Sequence, residues 1–337
     1  MLPETFRCYL VTKDAEGRVA GQIARRRLEE LPAGDVLIRV AYSSLNYKDA
    51  LAATGHPGVN KVFPHVPGVD AVGTVAESGV YEYVEGDQVL VTGCDMGANR
   101  WGGYAEYVRV PQDWIVPLPP SLGLGESMML GTAGLTAALS IDALQKHGVT
   151  PDRGPVVVTG ATGGVGSLAV ALLAKLGYQV AAVTGKASAE SYLRGLGAYE
   201  ILGRDAVDDR SDRPLLSGRW AGGIDTVGGN ILGTLLRATR HGGCIAACGL
   251  AASNTLPVTV YPFILRGVTL AGIEAAWVPP ALRAELWNRL AADWKLDNLP
   301  SIAKIVELGD LPAKFAEILA GRITGRIAVR ISPSTRS

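Results

Sequence analysis

The stretch that most restricts how this 337-residue chain can fold is "GPVVVTGATGGVGSLAVALLAKLGYQVAAVTG", residues 154–185. The valine run predicts a buried strand. The glycines after it predict a tight turn, and Val165, Leu168, Ala169, Leu172, Leu173 and Leu176 then recur at helical spacing on one face. A second apolar strand ends at Val183. Strand, turn, helix and strand in this order define a parallel βαβ unit, and "TGATGGVG" lies where such a unit receives a dinucleotide. Gly163 lets the backbone approach a pyrophosphate. Gly166 lets the helix close onto the sheet, and the first amides of the helix, at Gly164 and Val165, turn toward the phosphates. Ala161 stands where the first glycine of G-x-G-x-x-G is usual, with Gly160 and Gly164 supplying flexibility on either side. A ligand-free turn does not account for so many glycines in so short a run.

The rest of the chain divides around this unit. Residues 1 to about 123 read as short strands between turns: "DVLIRVAYSSL", "DAVGTVAESG", "EGDQVLVTG" and "GYAEYVRVP". Pro and Gly separate them every ten residues or so, which predicts a mostly-β, barrel-like unit. The Pro- and Gly-rich "VPLPPSLGLGE" marks the boundary. Beyond it "GTAGLTAALSIDAL" is helical, and "YEIL", "GGIDTVG", "GGCIAACGL" and "GVTLAGI" are strands alternating with helices. That alternation predicts a parallel sheet covered on both faces, an α/β architecture. "PALRAELWNRLAADWKL" is expected as one helix, with another near 311–320 and a closing strand, "GRIAVRIS".

Composition excludes several classes. With 32 Lys plus Arg against 32 Asp plus Glu the net charge is zero, so no electrostatic footprint for nucleic acid is present. Arg25, Arg26 and Arg27 are answered by Glu29 and Glu30 and read as a solvated face. No uninterrupted apolar stretch reaches membrane-span length, and "MLPETFRCYL" is not a signal peptide. Cys8, Cys94, Cys244 and Cys248 are too scattered for a disulfide framework. A cytoplasmic, soluble protein of two domains is expected, without nucleic-acid or membrane partners.

At the end of the second strand, in "AAVTGKAS", an Asp or Glu would grip the ribose of NAD. No acidic residue occurs between Gly160 and Glu190. Lys186 stands there instead, with the hydroxyls of Thr184 and Ser188 beside it and Gly185 between. A carboxylate would repel a ribose 2′-phosphate, whereas a lysine binds it, with charged hydrogen bonds worth roughly 1.5–3 kcal/mol. NADPH is therefore the expected cofactor. Metal ligation is not expected: no cysteine lies between Cys8 and Cys94, His56 and His65 stand alone, and Cys244 and Cys248 sit in an apolar strand.

Together "SSLNYKDALAATG", "PGVDAVGTV", "WGGYAEYVRV", "GTAGLTAAL", "VVVTGATGGVGSLAVALLAKLGY", "GGIDTVGG", "GGCIAACGLA" and "LPVTVYPFILRGVTLAGI" resemble the zinc-free medium-chain dehydrogenase/reductases. Within them the likeness is to the branch of acryloyl-CoA reductases and quinone oxidoreductases. It runs from about residue 30 to Ile331, and the pairing of "SSLNYKDAL" with "PFILRGVTLAGI" is its most specific part. The resemblance implies a GroES-like domain over residues 1–123 with a return segment at 277–337, and a Rossmann domain over 124–276. It also implies a homodimer joined edge to edge through strands such as "GVTLAGI". Zinc-bearing relatives carry a cysteine where "NYKD" stands and Gly-His-Glu where "PGVDAVG" puts Asp70, so both departures agree with a metal-free site. The position of Lys186 is often arginine in this branch.

Reducing an enoyl thioester requires hydride at the β-carbon, charge stabilised on the thioester oxygen and a proton at the α-carbon. Tyr47, which the resemblance puts at the mouth of the cleft, is the first candidate for ordering substrate or relaying the proton. Asn46 is expected to hydrogen-bond substrate or the nicotinamide ribose. Lys48 and Asp49 read as a pair of opposite charges. Arg326, in the "TGR" before the last strand, resembles a basic residue brought back into the cleft to face a phosphate or the thioester oxygen, or else forms a surface ion pair. Arg204 is expected on the adenine side, and Leu250 among the cofactor contacts. The leading reading is NADPH-dependent reduction of a short unsaturated acyl-CoA, acryloyl-CoA first. The alternatives are reduction of quinones or other activated alkenes and carbonyls, or cofactor binding without catalysis. No basic channel for coenzyme A is legible in the linear sequence.

Overall fold

The computed structural model describes residues 2–332. The chain divides into two compact units. The first runs to Thr132 and takes back Ala276–Ala292 and the chain from Asn298 onward; the second is Ala133–Ala275 with Asp293–Asp297.

In the first unit seven strands form one sheet. Its order is Ala303–Glu307, Arg326–Arg330, Val36–Ser44, Asp70–Ser78, Gln88–Thr92 and Ile115–Pro117, with Tyr107–Val110 also paired to Val36–Ser44. Phe6, Leu37, Ile38, Val89 and Tyr104 lie in one buried core, which the Leu311–Leu319 helix covers with Phe315. A separate antiparallel hairpin, Thr5–Lys13 with Val19–Arg27, is tied on by backbone bridges from Cys8 to Ala105 and from Val11 to His65. On its second strand and the turn after it, Arg26 pairs with Glu30 and Arg27 with Glu29. The closing strand has a parallel neighbour, Ala303–Glu307, that the sequence reading did not name. Five residues with a mixed burial pattern carry too little periodicity to read.

In the second unit six parallel strands lie in the order Glu200–Leu202, Val180–Val183, Val156–Val158, Trp220–Asp225, Thr239–Ala247, Thr269–Gly272. Numbered within the unit this is 3-2-1-4-5-6, the doubly wound order of a Rossmann sheet. Val156, Val157 and Val158 are wholly buried, as a strand covered on both faces requires. The sheet reverses direction of winding between Val156–Val158 and Trp220–Asp225, and the glycine-rich turn leaves from that point.

Two elements differ from expectation. The helix beginning at Pro280 ends at Ala291, because Ala292 leaves the helical region. Trp294 and Leu296 beyond it are buried, and this short segment belongs to the second unit, so packing overrides the helical pattern. The helical run Leu124–Lys146 is long and apolar enough to cross a membrane, but it breaks at Gly131 and most of it is buried within the protein.

Candidate active site

In the first unit the strand Val36–Ser44 delivers two serines against the start of the Asp70–Ser78 strand. Ser43 Oγ donates to the Asp70 carbonyl at 2.6 Å, and Ser44 Oγ donates to Asp70 Oδ2. Asn46 follows in extended conformation (φ −120°, ψ 159°) and caps the Tyr47–Ala53 helix. Its Nδ2 donates to Asp70 Oδ2 at 2.8 Å, while its Oδ1 accepts from Arg326 at 3.2 Å. The remaining acceptor sites on Asp70 are filled by the backbone amide and hydroxyl of Thr132, the latter at 2.6 Å.

Arg326, at the start of the last strand, is 3% exposed. It donates to the carbonyls of Leu45 (2.9 Å) and Met129 (3.3 Å) and to Ser44 Oγ (2.8 Å). Burial lowers its pKa, and the charges of Asp70 and Asp49 act in the opposite sense. The expectation of a cleft-facing or surface-paired Arg326 is therefore corrected. The guanidinium is a buried hub, and four of its five N–H donors are spent on Met129, Leu45, Asn46 and Ser44.

Asp49 is wholly buried and makes no ion pair with Lys48. Its two oxygens accept backbone amides, from Asn46 at 2.8 Å and from Val69 at 2.8 Å. It thereby fastens the start of the Tyr47–Ala53 helix to the start of the next strand. Burial, with the charge of Asp70 as a second cause, pushes its carboxyl up to about 7. Lys48 is exposed. Tyr104 sits beneath, donating to the Ser44 carbonyl at 3.0 Å, and burial raises its phenol well above the ordinary value.

The backbone break at Gly131 is required here. Its φ is +53°, and a Cβ would lie 2.6 Å from Asp70 Oδ2, 2.7 Å from Ser44 Oγ and 2.9 Å from the Arg326 guanidinium. Only a residue without a side chain lets Thr132 reach Asp70. Of the segment Asn46–Asp49, Tyr47 is the large side chain turned outward, 55% exposed. The Asn46 amide, expected to reach substrate, has its donors directed inward to Asp70 and Ser44.

In the second unit the glycine-rich turn brings the helix that follows it close to the sheet. Gly160 has φ +57°. A Cβ on Gly166 would strike the Gly160 carbonyl, so the Gly164–Lys175 helix can approach the sheet only with glycine at 166. Gly163 caps the helix without a side-chain bond, which leaves the first amides, those of Gly164, Val165 and Gly166, without an intrahelical acceptor. A cluster that sequence reading missed holds the turn in place: Thr159 Oγ1 donates to Asp225 Oδ1 at 2.6 Å, and Asp225 Oδ2 accepts the Gly228 amide at 2.7 Å. "IDTVGG" offered the signal, a carboxylate ending a buried strand.

Beyond the second strand, Thr184 is buried and its hydroxyl accepts the Lys186 amide at 3.0 Å, so it shapes the turn. Lys186 is half-buried, which lowers its pKa, and Ser188 is exposed. Arg204 lies directly over Gly185, where a Cβ would come 2.6 Å from Nε. It therefore joins Lys186 at the same turn, the sequence having offered only the adenine side for it. Leu250 is 67% exposed.

Residues 32–120 match the family "Alcohol dehydrogenase GroES-like domain", and residues 164–286 match "Zinc-binding dehydrogenase". Acrylyl-CoA reductase AcuI of Ruegeria pomeroyi is 45% identical over 97% of this chain and 99% of its own. The chain belongs to the medium-chain dehydrogenase/reductases. A crystal structure of the yhdH oxidoreductase of Salmonella enterica in complex with NADP superposes on this member with TM-score 0.93. That protein is 47% identical, over 96% of this chain and 99% of its own. YhfP of Bacillus subtilis, which carries a quinone oxidoreductase name, is 46% identical over 90% of this chain and 92% of its own. Its structure with NAD bound has TM-score 0.95 over 97% of this chain and 100% of that one. Despite the second family's name, this dehydrogenase/reductase gathers no three metal-ligating side chains among its described residues. Asp70 is saturated by hydroxyl, amide and Asn46 donors, a donor set that does not fit a zinc ion.

Proposed function

We propose that this protein reduces the carbon–carbon double bond of a short α,β-unsaturated acyl-CoA, acryloyl-CoA first, with NADPH as reductant. The observation that carries the reading is the full-length likeness to an acrylyl-CoA reductase. The amides of Gly164, Val165 and Gly166 fit a pyrophosphate, in a turn that a Cβ would fill. Lys186 with Arg204 suits a 2′-phosphate, with Ser188 on the same turn, and Leu250, beyond the Thr239–Ala247 strand, is the remaining candidate cofactor contact. When bound, NADPH supplies the hydride that the β-carbon accepts. Tyr47 then orders the thioester and holds at Oη the proton that the α-carbon receives, on a helix whose start is fixed by Asp49. Asn46 and Arg326 act as positioning residues beneath it, with Asp70 fixing the Asn46 amide.

The first experiment follows NADPH oxidation with acryloyl-CoA, crotonyl-CoA and a benzoquinone, each repeated with NADH. Turnover of the acyl-CoA with NADPH supports the reading, and Tyr47→Phe should lower kcat about a hundredfold. Turnover of the quinone alone refutes it in favour of quinone reduction.

A cytoplasmic homodimer belongs to the same proposal. The strand Thr269–Gly272 is an open sheet edge, and beside it Val260, Ile264 and Leu265 are each more than half exposed. Ile264→Glu should convert a dimer to a monomer in size-exclusion chromatography; an unchanged elution volume rejects this interface.

A further inference from the structure

We propose that Arg100, Trp114 and Trp277 form the seat for the adenine nucleotide end of the acyl-CoA. The proposal rests on the acyl-CoA reading and adds where the coenzyme's handle is held. All three residues belong to the first unit. Trp277 is 59% exposed, an unusual state for so large an apolar ring. It stands edge-on to Trp114, ring centroids 6.3 Å apart at 81°. The exposed part of the Trp277 ring can stack with a base. The Arg100 guanidinium lies over the Trp114 ring, 5.4 Å from its centroid. It gives one donor to the Ala33 carbonyl, and its other donors meet no acceptor among the described residues. A guanidinium braced by an aromatic ring and a carbonyl, with donors left over, suits a phosphate.

A second cation lies beneath the two rings. Arg283 is 2% exposed and pairs with no carboxylate among the described residues. It donates to the carbonyls of Trp114 (3.3 Å), Ala276 (3.0 Å) and Val278 (3.2 Å), so it clasps Trp114 to the two residues flanking Trp277. Its Nε is buried without any partner. A buried guanidinium held only by carbonyl dipoles leaves positive potential at this surface, which an anionic ligand offsets. Glu82 and Asp113 line a neighbouring hollow of about 250 Å³ and exclude phosphate from it, which assigns the phosphates to Arg100. An exposed aromatic face with two guanidinium groups is the chemistry of a nucleotide seat, not of an unsaturated acyl chain.

The test compares acryloyl-CoA with acryloyl-pantetheine, which keeps the reacting group and lacks the nucleotide, at saturating NADPH. Trp277→Ala and Arg100→Gln should each raise KM for acryloyl-CoA about tenfold. In both variants kcat and the KM for acryloyl-pantetheine should stay at the wild-type values. Adenosine 3′,5′-bisphosphate should compete with acryloyl-CoA in the wild type and lose that effect in both variants. Trp277 is exposed, so its removal empties no core, and Arg100→Gln checks the site independently. Equal KM values for the two thioesters in the wild type, equal changes for both in the variants, or competition against NADPH alone would overturn the seat while leaving the reductase reading intact. Wild-type protein that turns over neither thioester would overturn both.

Discussion

Arg326 and Asp70 hold opposite ends of one side-chain amide, that of Asn46: the guanidinium donates to its oxygen and the carboxylate accepts from its nitrogen. Ser44 Oγ forms a second link of the same kind, accepting from Arg326 and donating to Asp70. The two buried charges are thus compensated through shared polar groups. Removing one leaves the other unpaired in low dielectric.

Arg326→Met should accordingly destabilise the protein by about 3–5 kcal/mol, read from urea unfolding. A loss below about 1 kcal/mol would mean that Asp70 is adequately held by Ser44, Asn46 and Thr132 alone.

Gly131→Ala adds a Cβ at a φ of +53° and pushes it into Asp70, Ser44 and Arg326 together. Backbone strain and overpacking each cost about 1–3 kcal/mol. A drop of that order in unfolding free energy is expected, and a neutral result would show that the backbone relaxes.

Asp49 makes stability depend on pH. Its carboxyl titrates near 7 when folded and near 3.8 at its ordinary value, so the folded state holds the proton more tightly. The contribution is fully present below the ordinary value and is lost as pH rises through about 7. Urea unfolding of wild type and Asp49→Asn across that interval should show the wild-type advantage shrinking as pH rises. A constant difference would place the proton elsewhere.

Cofactor choice should follow the turn after Val183. Lys186→Glu exchanges attraction for repulsion at the proposed 2′-phosphate position, and the preference for NADPH over NADH should fall at least a hundredfold. Gly185→Ala should move in the same direction more weakly, because its Cβ displaces Arg204. Unchanged KM values for NADPH in both variants would put the phosphate elsewhere.

The Rossmann unit was readable from the chain because its constraints are local. A buried valine strand, a turn whose glycine at 166 meets the Gly160 carbonyl, and an amphipathic helix all fall within about 30 residues, where spacing maps directly onto geometry. The absence of an acid after Val183 was equally visible. Asp49 was not, since adjacency to Lys48 suggests an ion pair, whereas helix geometry turns the two residues to opposite environments. Arg204 was expected on the adenine side, but its neighbour there was not legible, because only pairing of Glu200–Leu202 beside Val180–Val183 brings its guanidinium over Gly185.

The polar cluster lies at the far end of this range. Arg326 bonds the Leu45 carbonyl across 281 positions, and Thr132 reaches Asp70 across 62. Local composition and periodicity dictated the parallel sheet, its nucleotide turn and the apolar strands of the first unit, because burial of alternating or helical faces is a short-range property of the chain. Which polar side chains became buried hubs and which, like Tyr47, were left facing outward was settled only when strands distant in sequence paired. A buried charge must find its compensating partners in space, and nothing in the linear order encodes that distance.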